Sequence, residues 1–162
     1  MTFTDIILKN PEIVSAVIFL LFAIPASIID ARTKKIPDPL NLFGIVILLC
    51  YRFSVDKKEA LVYIMSAIMA FLLLLTVRLA TKKGLGLGDA KYGALCASYA
   101  GPIAVFVGFI LAAIFAGIFY AFKRKSPSYK KDQAFPFAPF LSAGTFISSL
   151  PSLILYFMKL KG

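Results

Sequence analysis

The chain has no histidine and no tryptophan, and only two of its 162 residues are cysteine. Without histidine, Ser-His-Asp and Cys-His nucleophile systems are excluded, as are His-ligated zinc and haem sites. Cys50 and Cys96 each lie inside an apolar run. Two cysteines rule out a four-cysteine zinc site and a disulfide framework, leaving room for one bridge at most. Charge is also scarce, at 16% of residues against roughly 25% in ordinary soluble domains. Acid is scarcer still: 8 Asp and Glu against 18 Lys and Arg give a net charge of +10. Chemistry in this chain therefore rests on carboxylates, hydroxyls, lysines or the backbone.

What the chain has in excess is apolar side chains, 60% of residues against the roughly 45–50% of a soluble domain. A soluble globule of this length cannot hide so many Leu, Ile and Phe, so the composition reads as one all-α domain embedded in a membrane. Stretches free of Asp, Glu, Lys and Arg cover residues 13–29, 39–51, 60–77, 92–122 and 133–158. The fourth, at 31 residues, exceeds the ~20 that span a bilayer as a helix. Gly101-Pro102 lies inside it and breaks it, because proline cannot continue a helix and restricts its predecessor. Six transmembrane helices result, near 11–30, 39–55, 60–80, 89–100, 102–122 and 136–158. The second and fourth are short, as helices that begin in protein-lined, partly wet surroundings would be. Uninterrupted apolar runs argue against a β-barrel, whose strands alternate. The first span reads as retained rather than as a cleaved signal, since Lys9 is flanked by Asp5 and Glu12 and no small-x-small site precedes Asp30.

Orientation follows from the basic residues in alternate connections. Twelve occupy one set: Arg32, Lys34 and Lys35, then Arg78, Lys82, Lys83 and Lys91, then Lys123, Arg124, Lys125, Lys130 and Lys131. The other set holds six: Lys9, Arg52, Lys57, Lys58, Lys159 and Lys161. The richer set belongs in the cytoplasm, which puts both termini outside a multi-pass protein of the cytoplasmic membrane. Positive charge so placed is a topological and lipid-facing signal, and no nucleic-acid partner is expected.

Of the eight acids, Asp5, Glu12, Asp56 and Glu59 fall in outer connections and Asp132 ends a basic loop. These read as solvated surface charge. Asp30, Asp38 and Asp89 sit at the cytoplasmic ends of apolar spans, where a carboxylate is costly enough to suggest function. Asp30 closes the first run, at the wrong end of a helix dipole for a negative charge. It is either a functional group or the partner of Arg32 or Lys34. Asp38, in Pro37-Asp38-Pro39, reads best as an N-cap with proline at the first helical position. Asp89 follows three alternating glycines, Gly84, Gly86 and Gly88. That stretch lacks the spacing and trailing Lys-Ser/Thr of a phosphate loop. Asp89 is then either an N-cap in a Gly-rich turn or a functional acid, and Asp30 is the acid that would join it. The two begin and end helices on the same side of the membrane, so they can converge. Two close carboxylates share a proton: one activates water as a base while the other hydrogen-bonds a carbonyl. No other complete acid–base constellation exists in the chain, and this one suggests peptide hydrolysis just inside the membrane surface.

These residues resemble a known family, the type IV prepilin peptidases and archaeal preflagellin peptidases, aspartic proteases of the membrane. The stretch from Asp30 through Ile36-Pro37-Asp38 is similar to the family's first motif, in which Asn is common at the last position. Gly86-Leu87-Gly88-Asp89-Ala90-Lys91 resembles its GxGDxK motif. Phe135-Pro136-Phe137-Ala138-Pro139-Phe140-Leu141, with Gly144, resembles its PFxPFL segment. The resemblance implies that Asp30 and Asp89 are the catalytic pair, with no cofactor or metal. It implies that the substrate is a pilin-like precursor whose short basic leader is removed. Lys91 takes a supporting role near the acids or snorkels to lipid headgroups. Gly86 and Gly88 give the substrate backbone room to approach, and Asp38 stays open as a third acid. Many bacterial members also methylate the new N-terminus and carry a cytoplasmic insertion with paired CxxC motifs. This chain has neither pair, and its first connection is short. It resembles the peptidase-only members and reads as a single transmembrane peptidase domain over 1–162, without a soluble or methyltransferase domain.

Two other readings stay open at this level. Presenilin and signal-peptide-peptidase proteases share a GxGD signature, but pair it with Tyr-Asp and Pro-Ala-Leu where this chain has Ile29-Asp30 and Phe137-Ala138-Pro139. A proton-coupled transporter or a catalytically silent assembly factor would use the acids as relay or cap. The lack of an inverted repeat weighs against transport.

Overall fold

The computed structural model describes residues 10–81, 85–125 and 135–161, and every regular element among them is helical. Five helices are present: α1 Pro11–Thr33, α2 Asp38–Val55, α3 Lys57–Ala80, α4 Leu87–Arg124 and α5 Ala138–Lys161. All five are long and apolar enough to cross a membrane. Gly84, Lys82 and Lys83, the basic loop with Asp132, and the N-terminal Asp5 and Lys9 lie outside the described residues.

Local chemistry explains the helix ends. Proline occupies the first position of α1, where its missing N–H costs nothing. At its C-terminus Lys34 turns left-handed (φ 58°) and returns its N–H to the Asp30 carbonyl. Asp56 caps α3 by accepting from the N–H groups of Lys58 and Glu59, at 2.7 and 3.3 Å.

The difference between six expected spans and five helices lies in α4. Gly101 sits at φ 75°, ψ −178°, a conformation open essentially to glycine alone, and Pro102 starts the next limb. A Cβ built on Gly93 would meet the ring of Phe109, 3.2 Å away. In a straight helix residues sixteen apart are separated by about 24 Å, so the chain reverses at Gly101. Contacts to α5 agree: Tyr92 and Tyr99 meet Ser142 and Ser149 in parallel order, whereas Gly108 and Phe119 meet Thr145 and Phe140 in antiparallel order. The break at Gly101-Pro102 thus makes α4 a hairpin of two spans.

The first limb of α4 is the centre of the bundle. Every residue from 92 to 99 is buried, which fits a helix apolar on all sides. Around it the molecule is inside-out relative to a soluble protein. Alanines such as Ala23, Ala26, Ala97 and Ala112 fill the interior, while Leu21, Leu79 and Ile103 face outward. Small residues let backbones touch, as membrane helices require. A Cβ on Gly144 would run into the Gly108 carbonyl of the second limb.

At the end of the bundle where α1 begins, Arg52 of α2 is buried (1% exposed) and grips Glu12 through Nη1 and Nη2, each at 3.0 Å. Its guanidinium lies 4.1 Å from the Tyr63 ring centroid, and it also donates to the Tyr99 carbonyl. Glu12 is therefore no free surface charge but half of an ion pair that fastens α1 to α2. Asp30, Asp38 and Asp89 lie at the opposite end.

Candidate active site

Asp30 stands in the last turn of α1, where its own helix dipole disfavours it. Neither Arg32 nor Lys34 forms a salt bridge with it. Instead its Oδ2 accepts the Ala138 N–H at 2.9 Å. Ala138 is the first residue of α5, and the following Pro139 has no N–H to offer. An acid misplaced on one helix thereby becomes the cap of another, with only 3% of its surface exposed.

Asp89 lies at the start of the central limb. The N-cap alternative does not hold: Gly86 is the N-cap residue, and Asp89, three positions later, accepts the Gly86 N–H at 2.9 Å through Oδ2. This is the return half of a capping box, and it folds the glycine turn over the carboxylate. A methyl on Gly86 would sit 2.9 Å from that same Oδ2. Gly88 faces Ile36 of the α1–α2 connection, with its hypothetical Cβ 3.6 Å away. A methyl there would make only ordinary van der Waals contact with that connection. Arg78, at the end of α3, steadies the turn by donating to the Leu85 carbonyl at 2.8 Å.

Asp38 also departs from expectation. It is itself the first residue of α2, follows Pro37 at the cap position, and makes no capping hydrogen bond. Starting the helix one residue early turns its carboxylate outward, where Oδ2 pairs with Lys91 Nζ at 2.7 Å. Lys91 consequently serves Asp38 rather than either of the other acids. The pair links the start of α2 to the helix carrying Asp89.

Asp30, Asp89, Gly86, Gly88, Asp38 and Lys91 all line one cavity of about 860 Å³. Apolar walls come from Ile29, Leu87 and Phe137. Two carboxylates on separate helices, each with one oxygen held by a backbone N–H, open on a space large enough for a peptide segment and water. No group of three or more His, Cys, Asp or Glu among the described residues is arranged to hold a metal ion. The backbone donor at Ala138 was not foreseeable from residue types. Ser27 and Tyr92, each one helical turn from an aspartate, carried a spacing that could have marked them.

Comparison with known proteins bears on this geometry. Over 151 residues the chain is 24% identical to the prepilin leader peptidase/N-methyltransferase of Bacillus subtilis (strain 168), covering 92% of this chain. The chain spans 61% of that relative's length. No solved structure matches. The family model for type IV leader peptidases matches residues 17–122, a stretch that holds both Asp30 and Asp89 and most of the bundle. On the strength of that match the chain belongs to the type IV leader peptidase family.

Proposed function

We propose that this chain is a membrane-embedded aspartic endopeptidase that removes the short basic leader of pilin-like precursors. The observation that carries the reading is the opening of Asp30 and Asp89, from α1 and α4, on a single cavity. In the proposed reaction a water held between them attacks the scissile carbonyl. The ionised carboxylate takes the water's proton, and the protonated one donates to the carbonyl oxygen. The tetrahedral intermediate then collapses as a proton passes to the leaving nitrogen. Hydrolysis needs an extended substrate, and the glycine turn at Gly86 leaves space beside Asp89 for a backbone to lie. The apolar helix of the precursor docks among the spans, with membrane lipid around it. The excess of Lys and Arg at the Asp30 end supports a cytoplasmic site in the cell membrane, with both termini outside.

The test is cleavage of a precursor in membranes by Asp30→Asn and Asp89→Asn variants. Each is expected to insert normally and to lose leader removal by at least about 100-fold, the contribution typical of a positioned acid or base. Retained cleavage in either variant would sink the pairing.

A further inference from the structure

One helical turn inward from the aspartates, three hydroxyls from three helices meet. Ser27 precedes Asp30 by three residues, Tyr92 follows Asp89 by three, and Ser142 follows Ala138 by four. At 3.6 residues per turn, each shares a helix face with its site residue. Ser142 Oγ lies 2.8 Å from Ser27 Oγ, 2.6 Å from the Tyr92 hydroxyl and 2.8 Å from the Ala138 carbonyl.

The Ala138 carbonyl can only accept, and Ser142 can give it its one proton. Its two lone pairs then accept from Ser27 and Tyr92. In that arrangement all three contacts of Ser142 are hydrogen bonds. Tyr92 is fully buried, so water offers its hydroxyl no substitute. The hub, Ser142, thus ties α1 beneath Asp30, α4 beneath Asp89 and α5 beneath the N–H that holds Asp30.

We infer that Tyr92, Ser142 and Ser27 are positioning residues that set the placement of Asp30 relative to Asp89, an inference resting on the proposed hydrolytic reading. The molecule supplies its own control. Seven residues further along both helices, the Tyr99 hydroxyl meets Ser149 at 2.7 Å. This second pair joins the same helices with the same chemistry, but two turns farther from the aspartates.

The experiment uses the purified full chain in detergent micelles. Its probe is a synthetic precursor with a short basic leader, a glycine and an apolar helix. Wild type, Asp30→Asn and Asp89→Asn are measured first. A silent wild type, or a cleaving Asp30→Asn, overturns the hydrolytic reading and the clamp with it. Given cleavage by wild type alone, Tyr92→Phe and Ser142→Ala are expected to lower kcat about 10- to 100-fold with KM unchanged, as a displacement near 1 Å would. The double variant should fall no further than the worse single one, since the residues act as a unit. Tyr99→Phe should lower the melting temperature as much as Tyr92→Phe while keeping kcat within about threefold of wild type. Unchanged kcat in Tyr92→Phe and Ser142→Ala would overturn the clamp. So would an equal kcat loss in Tyr99→Phe, because both pairs would then serve only the bundle.

Discussion

In the proposed reading Asp30 has two separable duties, and a pair of substitutions at this one position divides them. Its Oδ2 caps α5 through the Ala138 N–H, and its charge is assigned to chemistry. Asn keeps an acceptor oxygen in nearly the same place and caps helices about as well as Asp. Asp30→Asn therefore loses only the attraction of charge for the helix end, about 0.3–1 kcal/mol, against which the relief of a buried charge acts. Asp30→Ala leaves the Ala138 N–H without its partner in a place where Ala138 is fully buried, at a cost of about 1–3 kcal/mol. Melting temperatures in one detergent should then rank wild type and Asn together, with Ala clearly below. Cleavage should rank otherwise, with both variants down by at least about 100-fold. The reasoning is refuted if Ala melts with wild type, since the cap would then be idle. It is equally refuted if Asn cleaves within about tenfold of wild type, since the charge would then be idle.

Three further outcomes are expected. Gly86→Ala places a methyl 2.9 Å from Asp89 Oδ2, so it should cut cleavage about 10- to 100-fold with little change in melting temperature. Gly101→Ala forces a side chain into φ 75° and against Tyr63. It should destabilise the protein by about 1–3 kcal/mol, read as a lower melting temperature and greater protease sensitivity. Arg52→Ala leaves the part-buried Glu12 without its partner at the far end of the bundle and should lower the melting temperature. The double change Arg52→Met with Glu12→Leu should recover most of that loss in the same melting assay, because no charge then remains buried.

Much of the architecture was legible because it rests on local chemistry. Apolar length marked the helices, and Gly101-Pro102 marked the reversal, since no other dipeptide in that run could break it. The convergence of Asp30 and Asp89 followed from counting crossings. What stayed hidden depends on contacts between distant segments. Glu12 looked like a surface charge because nothing near it shows that Arg52, forty residues on, lies against it. Asp38 looked like a cap because Pro39 invites that reading; its Lys91 partner is fifty-three residues away. The donor that holds Asp30 is a backbone N–H, which no residue type announces.

The shortness of the central limb has a consequence for the bilayer. From residue 87 to residue 100 a helix rises about 21 Å, roughly 9 Å less than the hydrocarbon thickness. A limb that short leaves one of its ends within the hydrocarbon unless the bilayer thins around it. The cavity lined by Gly86, Gly88 and Asp89 lies at the limb's N-terminal end. In the proposed reaction, hydrophobic mismatch, a penalty for most membrane helices, would give water a path to a peptide bond that lipid otherwise keeps dry.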